Sequence, residues 1–266
     1  MLRLVKAHAY GNDFLYVDEQ AVAGKDRAAL ARHLCERRIG IGADGLVVFA
    51  PTAAGARMAL LNADGSYSEV SGNGVRGLAA VVARERGLEP SPEVPPDLVV
   101  DTDAGPKVLT LLEREGARFR FRADMGQPEA VRRVDLDVAG ERVEAVTLRV
   151  GNPQCVVLGP LDPARLARLG PALQRHRAFP DGVNVELAAV EAPDRVRILI
   201  WERGVGPTRS SGTGSCASAV AAAVFGGAAR AADVIAPGGT QRVEWLDAGL
   251  VLTGWAEVVL EGWWTA

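Results

Sequence analysis

The stretch Ser71-Gly72-Asn73-Gly74 runs directly into a small-residue segment, Val75–Arg86, and it has a counterpart in Ser211-Gly212-Thr213-Gly214, which precedes Ser215–Phe225. The two serines, at positions 71 and 211, stand 140 residues apart. The same offset relates Gly11-Asn12 to Gly151-Asn152, Val17 to Val157, Asp44 to Asn184, Arg57 to Arg197, Asn62 to Glu202 and Ala79 to Ala219. We therefore predict two similar halves, each of which contributes a polar, glycine-rich helix start to one shared site.

The composition is that of a globular protein of two ordinary domains. The chain has 266 residues, of which 48% are hydrophobic and 24% charged, and its formal net charge is −3. Scattered basic residues and a slightly acidic balance give no electrostatic basis for binding nucleic acid. Glycine interrupts the apolar runs, so no membrane span or membrane association is predicted. Three widely separated cysteines argue against a disulfide framework, and the sequence favours a cytoplasmic protein.

The pattern of short alternating strands with one principal helix in each half predicts an α+β fold, in which a mixed sheet wraps around a central helix. Glu89–Pro96 is rich in proline and is predicted to be a connector. Helices are predicted over Asp26–Arg37 and Pro163–His176 in addition to the two glycine-rich starts, and the chain is predicted to close with strands over Gln241–Trp245, Leu250–Thr253 and Trp255–Leu260. We place the N-terminal half at residues 1–117, joined by a last strand at about 257–266, and the C-terminal half at residues 118–256, with the active site between them.

Two glycine-rich helix starts form a natural clamp for an anion, because the first N–H groups of a helix have no intrahelical acceptor. Gly72 and Gly212 would let a carboxylate approach the backbone without meeting a β-carbon. Turn asparagines and the pair Glu202-Arg203 add the donors and acceptors that would suit a zwitterionic amino acid. Each of these asparagines taken alone is also typical of ordinary turn chemistry; their common spacing favours a binding site.

Nucleotide and metal sites are not predicted. Residues 72–77 match G-x-G-x-x-G, but a polar turn precedes them and the proline-rich connector lies where a Rossmann fold needs a second strand ending in an acidic residue. The three histidines and three cysteines show no paired spacing typical of metal ligands. The predicted site therefore contains no cofactor.

Motifs along nearly the whole chain resemble those of the diaminopimelate epimerase family. They are Gly11-Asn12-Asp13-Phe14, Gly40-Ile41-Gly42-Ala43-Asp44, Asn62-Ala63-Asp64-Gly65, Ser71-Gly72-Asn73-Gly74-Val75-Arg76, Gly151-Asn152-Pro153, Trp201-Glu202-Arg203-Gly204, Gly212-Thr213-Gly214 and Pro237-Gly238-Gly239. The resemblance implies two pseudosymmetric halves with the active site between them. It also implies an isomerase that epimerises the α-carbon of an amino acid without pyridoxal phosphate, converting LL- to meso-diaminopimelate in lysine and cell-wall biosynthesis.

The resemblance also assigns roles to residues. It implies that the polar groups of the substrate are held by Asn12, Asn62, Asn152, Asn184, Glu202 and Arg203. The reacting carboxylate would be held by the backbones of Gly72-Asn73 and Gly212-Thr213. The catalytic positions would be Ser71 and Ser211, with Glu202 as the ionisable group of the centre.

The sequence departs from the family pattern at residues that matter for catalysis. Ser71 and Ser211 stand where the family carries its two catalytic cysteines, Gln154 replaces the usual histidine, and Gly45 replaces a frequent glutamine. A thiol reaches its thiolate form readily beside a helix start, whereas an unassisted serine hydroxyl stays protonated. We therefore expect weak or absent two-base epimerisation.

Three interpretations remain open. The chain is a diverged relative that performs one-base isomerisation or elimination with Glu202, or an epimerase whose cysteines were exchanged for serine to trap a ligand, or a catalytically silent protein that binds amino acids. Gln154 and Gly45 weigh against the second. The distal end of the substrate is not readable from the sequence, and exposed apolar edges leave room for a homodimer.

Overall fold

The computed structural model describes residues 1–265. Within that range the chain forms four α-helices: α1 (Arg27–Cys35), α2 (Gly72–Glu85), α3 (Pro163–Gln174) and α4 (Gly212–Phe225). The first nine strands are β1 (Leu2–Ala9), β2 (Asn12–Asp18), β3 (Gly45–Pro51), β4 (Gly55–Asn62), β5 (Tyr67–Ser68), β6 (Asp97–Thr102), β7 (Gly105–Glu115), β8 (Arg118–Gly126) and β9 (Glu129–Val138). The others are β10 (Glu141–Val150), β11 (Asn152–Leu158), β12 (Asn184–Ala192), β13 (Arg195–Glu202), β14 (Gly206–Thr208), β15 (Ala231–Ala236), β16 (Gly239–Leu246) and β17 (Gly249–Trp264).

These elements confirm the predicted α+β class, and the chain divides into two compact units. Unit 1 comprises residues 1–123 and 254–266, and unit 2 comprises residues 124–253. The divisions fall within β8 and within β17, so each of these long strands contributes residues to both units. Among residues 1–265, no helix combines the length and the apolar character that a membrane crossing requires.

In unit 1, eight strands pair in a closed ring. β1 pairs with β2, β2 lies parallel to β3, β3 pairs with β4, and β4 lies parallel to β6. β6 then pairs with β7, β7 with β8, and β17 closes the ring by pairing with both β8 and β1. A ring of this kind removes free sheet edges, which would otherwise template pairing with other chains.

The centre of this ring is filled by α2. Every residue from Asn73 to Ala83 is buried, including Leu78 and Ala79, which are 0% exposed. Small residues let the strands approach the helix: a β-carbon on Gly77 would lie 2.0 Å from the hydroxyl oxygen of Tyr16. The shorter helix α1 forms a second apolar layer, in which Leu30 and Leu34 pack with side chains of β1 to β4.

In unit 2, the strands are joined in the order β9, β10, β11, β12, β13, β15, β16 and β17. The pairing is antiparallel except at two junctions, β11 with β12 and β13 with β15, which are parallel. The helix α4 packs against six of these strands, and its residues from Ser215 to Ala222 are all buried. The amphipathic helix α3 lies over β12 and β13, with Leu166, Leu169 and Leu173 buried.

One prediction about the strands is wrong. The structure has a single strand, β17, where two strands separated at Gly254 were predicted. A β-carbon on Gly254 would stand 3.0 Å from the Tyr10 hydroxyl oxygen and 3.1 Å from the guanidinium carbon of Arg76. The glycine is therefore required by a close approach to these side chains and does not mark a turn.

Candidate functional site

The first polar cluster lies at the start of α2, where Ser71 is the N-cap residue. Its Oγ accepts a hydrogen bond from the amide of Gly74 (3.2 Å), and its carbonyl oxygen accepts one from the amide of Val75 (2.8 Å). The first amides of an α-helix have no acceptor within the helix. Together with the partial positive charge of the helix N-terminus, they form a favourable position for a carboxylate.

Gly72 is not explained by the fold. A β-carbon built on this residue meets no atom within 4 Å, and its φ lies outside the left-handed region. Neither packing nor backbone conformation therefore requires glycine at this position. The open space beside the helix start is available to a ligand.

Asn12, at the beginning of β2, is held next to this helix start. Its oxygen Oδ1 accepts a hydrogen bond from Nδ2 of Asn73 (3.2 Å), and its own Nδ2 donates to Oδ2 of Asp44 (2.7 Å). The structure thus brings two of the predicted site residues into direct contact. Asp44 fixes the orientation of the Asn12 amide, since a carboxylate can only accept from Nδ2.

Behind Asn12 is an ionic network that the sequence analysis missed. The Arg37 guanidinium donates two hydrogen bonds to Asp13, of 2.7 and 3.1 Å, and a third to Asp44 (2.8 Å). The Lys6 ammonium lies 2.9 Å from the Asp13 carboxylate. Burial alone would raise the pKa of Asp13, but the hydrogen bonds from Arg37 and Lys6 outweigh it, and the net shift of the pKa is downward. In the sequence, Arg37 just ahead of the Gly40–Asp44 motif was the feature from which this network could have been predicted.

Asn62 is at the end of β4 and is used within its own turn. Its Nδ2 donates to Oγ of Ser66 (2.9 Å), and its backbone amide donates to the Ser66 carbonyl oxygen (2.8 Å). These contacts are the ordinary turn chemistry that was the alternative interpretation for each asparagine. The structure places Asn62 opposite Gly45 in the pairing of β3 with β4.

The second polar cluster lies at the start of α4 and is capped by Ser211 in the same way. The Ser211 Oγ accepts from the amide of Gly214 (3.2 Å), and its carbonyl oxygen accepts from the amide of Ser215 (3.0 Å). Ser211 is 4% exposed, so this cap is more deeply buried than that of Ser71, which is half-buried. A β-carbon on Gly212 would lie 3.1 Å from a methyl group of Leu252.

Asn152 and Thr213 are linked through Gln154. The Gln154 amide nitrogen donates to Oδ1 of Asn152 (2.5 Å) and to Oγ1 of Thr213 (3.1 Å). The side chain of Gln154 is 1% exposed, and its oxygen Oε1 has no hydrogen-bond partner within the described chain. The structure therefore joins two predicted site residues through the residue that departs from the family's histidine.

Asn184, Glu202 and Arg203 meet where β12 begins and β13 ends. Oδ1 of Asn184 accepts a hydrogen bond from the backbone amide of Arg203 (2.8 Å). The Arg203 guanidinium donates to the carbonyl oxygen of Asp181 (2.6 Å), which directs it toward the loop before β12. Glu202 is half-buried at the end of β13.

The strand register revises one match of the internal repeat. Asn184 is paired with Gln154, while Gly45 is paired with Phe14, which is the counterpart of Gln154 at the 140-residue offset. Gly45, and not Asp44, therefore occupies the strand position of Asn184. The connection that leads to β3 is one residue longer than the one that leads to β12, which an ungapped comparison cannot reveal.

Glu186 is a second group that the sequence analysis missed. It lies on β12 two residues after Asn184, so both side chains are on the same face of the strand. It is 0% exposed, and both carboxyl oxygens lack a hydrogen-bond partner among the described residues. Burial, followed by the negative charge of Glu202, raises the pKa of Glu186 well above its ordinary value. The period-two spacing from Asn184 was the signal for this residue.

The described residues contain no group of three or more histidine, cysteine, aspartate or glutamate side chains placed to hold a metal ion. The three cysteines are all buried and reduced. Burial, with the nearby charges of Asp13 and Asp44, raises the pKa of Cys35 to about 12, and burial also raises that of Cys155. Neither thiol is therefore in a setting that activates a nucleophile.

Comparison with known proteins identifies relatives along the whole chain. The sequence model described as diaminopimelate epimerase matches residues 4–131 and 146–259. The diaminopimelate epimerase of Desulforudis audaxviator is 42% identical over 285 aligned positions, which cover 99% of each chain. That of Desulfitobacterium hafniense is 37% identical, covering 98% of this chain and 97% of the relative.

Solved structures share the fold at much lower identity. A predicted epimerase from Pseudomonas aeruginosa superposes with a TM-score of 0.73 at 17% identity, covering 98% of both chains. A probable proline racemase from Agrobacterium radiobacter, solved with bound carbonate, has the same TM-score and identity and covers 100% of this chain and 93% of its own. At this identity the likeness concerns the fold.

Proposed function

The chain belongs to the diaminopimelate epimerase family, and on that premise we propose that it binds diaminopimelate or a close amino-acid analogue and moves the proton on the α-carbon without a cofactor. The observation that supports this most strongly is the pair of serine-capped helix starts, at Ser71 and Ser211. The product of a complete turnover is the epimer, meso-diaminopimelate from the LL isomer, as in lysine biosynthesis.

In this proposal the reacting α-carboxylate binds to the backbone amides of Gly72-Asn73 and Gly212-Thr213. Support comes from the open space at Gly72, which the fold does not otherwise use. Hydrogen bonds from helix-start amides also stabilise the negative charge that builds up on the carboxylate when the α-proton leaves. A group bound in this way is more strongly held in the carbanion-like transition state than in the ground state, which is what lowers the barrier.

The remaining polar side chains hold the ammonium group and the distal amino-acid group. We assign these roles to Asn12, Asn62, Asn152, Asn184, Glu202 and Arg203. Asn12 is oriented by Asp44, and Asn152 by Gln154, so both present fixed amide groups. A rigid polar set of this kind suits a substrate with two zwitterionic ends, because each misplaced donor would leave a charge unpaired.

We further propose that the two units are pseudosymmetric halves. The succession of antiparallel, parallel and antiparallel pairing from β1 to β4 recurs from β10 to β13, which supports this relation. The capping serines Ser71 and Ser211 stand at the positions from which a proton is removed or delivered.

A second candidate reaction is favoured by the serines themselves. Each capping hydroxyl already accepts a hydrogen bond from its helix, and a hydroxyl of ordinary pKa is a weak base unless a neighbour activates it. A family member of this type would exchange the α-proton on one face only, or would isomerise or eliminate, with Glu202 as the ionisable group. The remaining alternative is a protein that binds the amino acid without converting it.

Proton exchange in deuterated water distinguishes these reactions. The purified protein is incubated with LL-diaminopimelate, and the α-proton signal and the ratio of isomers are followed by nuclear magnetic resonance. Loss of the signal with formation of the meso isomer supports epimerisation, and loss without inversion supports the one-base reaction. Calorimetric binding without any loss of signal identifies a binding protein, and absence of both binding and exchange contradicts the proposal.

Gly72→Ala tests the carboxylate position separately. Because nothing lies within 4 Å of the added methyl group, the fold should not be disturbed. The methyl group would occupy the space assigned to the carboxylate, and we expect affinity for diaminopimelate to fall about tenfold or more, which corresponds to about 1.4 kcal/mol. Gly262→Ala is the matched control, since a β-carbon there also meets no atom within 4 Å and Gly262 lies in β17, where it pairs with Leu4. Equal affinities for the two variants would contradict the assignment.

A further inference from the structure

The contacts of the Glu186 carboxyl group do not explain why the fold would need a carboxyl group at this position. It is 0% exposed, and neither oxygen has a hydrogen-bond partner among residues 1–265. An ionised carboxylate in such a place would be very costly, because nothing replaces the water that it has lost. The group is therefore protonated at neutral pH, which agrees with its raised pKa.

Glu186 lies directly beneath the first turn of α4. The point at which a β-carbon would stand on Gly214 is 2.6 Å from Oε1 of Glu186 and 3.2 Å from Cβ of Ser211. An alanine at position 214 would crowd both side chains. Glycine at this position leaves the space beside the Ser211 side chain open to the carboxyl group.

The surroundings of Glu186 supply little charge. In the sheet it is paired with Val156 on β11 and with Ile200 on β13, and Gln154 and Glu202 are the polar residues nearest to those pairs on the same face. The helix α4 contributes Gly214 and, one turn further on, Ser218, whose buried hydroxyl also lacks a partner within the described part of the chain. Glu202 is thus the facing charge, and it favours the protonated form of Glu186.

We propose that Glu186 stores a proton behind Ser211 and exchanges it with the α-carbon of the substrate through the Ser211 hydroxyl group. This inference rests on the proposed function, because it assumes that an amino acid binds at the start of α4. It assigns the proton store to Glu186, whereas the sequence had indicated Glu202 as the only ionisable group of the centre.

The transfer is balanced in both directions. In delivery, the Ser211 hydroxyl proton forms a bond to the carbanionic α-carbon while the Glu186 proton moves to Ser211 Oγ, which leaves Glu186 as a carboxylate. In removal, Ser211 Oγ takes the α-proton while its own proton passes to the Glu186 carboxylate, and the electron pair of the broken C–H bond stays on the substrate. No redox partner is needed.

Unit 1 has no ionisable side chain at the strand position that corresponds to Glu186. The register that aligns Gly45 with Asn184 aligns Val47 with Glu186, and Val47 is a buried apolar residue. Its sheet neighbour Tyr16 donates its hydroxyl to the carbonyl oxygen of Gly74 (3.0 Å), so this hydroxyl is already used in the fold. The relay therefore serves one face of the substrate, and we expect α-proton exchange to be faster than inversion.

Glu186→Gln is the direct test, with Glu191→Gln as a matched control on the same strand. Glu191 bonds to Arg197 on the outer side of the molecule and takes no part in the site. We expect Glu186→Gln to lower kcat for α-proton exchange about 10²- to 10⁴-fold, the usual range for an acid–base group, while KM changes less than twofold. Glu186→Asp, which keeps a carboxyl group, should recover part of that rate. Exchange begins with removal of the α-proton, which needs the ionised form of Glu186. The wild-type rate of exchange should therefore rise as pH rises toward the pKa of Glu186, and this limb should be missing from the residual activity of Glu186→Gln.

The outcomes separate the relay from the function on which it rests. Wild-type exchange with an unaffected Glu186→Gln variant overturns the relay and leaves the proposed function intact. A wild-type protein that neither binds nor exchanges diaminopimelate overturns both. Infrared difference spectra of wild type against Glu186→Gln, recorded without substrate, give an independent check: a protonated carboxyl band at neutral pH is expected, and an ionised carboxylate band would overturn the proposal. A cooperative thermal unfolding transition of Glu186→Gln excludes misfolding as the cause of a lost rate.

Discussion

Arg37 holds the carboxylate of Asp13 with two hydrogen bonds, of 2.7 and 3.1 Å, at a point where the Asp13 side chain is almost buried. The same guanidinium also reaches Asp44, which orients Asn12. The geometry of the first polar cluster therefore depends on an ion pair that lies behind it. Removing the charge of Asp13 would leave Arg37 with Asp44 as its partner and Lys6 with the carbonyl oxygen of Gly42.

Asp13→Asn should make the protein less stable at neutral pH and indistinguishable from wild type in strong acid. The folded pKa of Asp13 lies below its ordinary value of 3.8, so the ion pair stabilises the fold above that pH and is lost as pH falls through the folded pKa. We expect a difference of about 1–3 kcal/mol in the free energy of unfolding at pH 7. Urea unfolding at a series of pH values measures it. A difference that does not change with pH would contradict the assignment.

Asn12→Ala should weaken substrate binding with little effect on stability. The variant loses the hydrogen bond from Asn73 and the one to Asp44, which keeps its bonds from Arg37 and from the Asp13 backbone amide, and it empties no apolar space. We expect affinity for diaminopimelate to fall about tenfold, equivalent to about 1.4 kcal/mol. Calorimetry measures the affinity and thermal unfolding provides the control. Unchanged affinity would remove Asn12 from the binding site.

Alanine at Gly214 and at Gly74 should have unequal effects, although the two residues hold the same place in their helices. The added methyl would meet Glu186 Oε1 at 2.6 Å in Gly214→Ala, whereas its closest contact in Gly74→Ala is Ser71 Cβ at 3.3 Å. We expect Gly214→Ala to lower the free energy of unfolding by about 1–3 kcal/mol, and Gly74→Ala to lower it by less.

A double-mutant cycle identifies the origin of that cost. If Glu186 causes the clash, Gly214→Ala combined with Glu186→Ala should be more stable than the sum of the single changes predicts, by about 0.5–3 kcal/mol. Strict additivity would show that the backbone of α4 absorbs the methyl group without involving Glu186.

Glu186→Gln should be more stable than wild type in mildly alkaline solution. The unfolded chain releases the Glu186 proton near the ordinary value of 4.5, whereas the folded protein retains it to a much higher pH. Since the folded state binds more protons in that window, wild-type stability falls by about 1.4 kcal/mol for each pH unit between the two pKa values. The variant lacks this slope. Unfolding curves at pH 5 and pH 8 measure it, and parallel pH profiles would contradict a buried neutral carboxyl group.

Cysteine at both capping positions should increase epimerisation. A thiol at a helix N-terminus ionises far more readily than a hydroxyl, so Ser71→Cys with Ser211→Cys gives each cap a competent base. We expect inversion of LL-diaminopimelate to accelerate about 10²- to 10⁴-fold. Cysteine is a poorer cap than serine, so each substitution should also cost about 1 kcal/mol of stability. The single variants are the controls, and an unchanged rate of inversion in the double variant would show that the caps do not handle the proton.

The α+β class and the two helix starts were predictable because local chemistry determines them. Ser71 and Ser211 precede runs of small residues, and the structure starts α2 and α4 directly after them. The connector over Glu89–Pro96 is irregular, as the prolines predict. Helices α1 and α3 lie within the predicted segments and end two residues earlier than predicted at Cys35 and Gln174.

The parts that could not be predicted depend on contacts between distant segments. Gly254 separates the two strands predicted at the end of the chain, and only the fold places Tyr10 and Arg76, which are remote in sequence, beside it. Glu186 is one of several polar residues in alternating strands, and only the position of α4 distinguishes it from a solvated side chain. The one-residue difference before β3 and β12 is likewise visible only in the strand register.

The first and last strands of the chain, β1 and β17, pair with each other, and Leu2 lies opposite Trp264. The order of synthesis therefore determines when unit 1 can complete its sheet. Residues 124–253 form an uninterrupted segment, so unit 2 has all of its strands before the final residues of unit 1 have been translated. Until β17 emerges, β1 and β8 remain exposed edges on the nascent chain. Unit 1 is therefore completed late in translation. A block near residue 254 would release a polypeptide in which unit 2 is complete, while unit 1 has unpaired strand edges that promote aggregation.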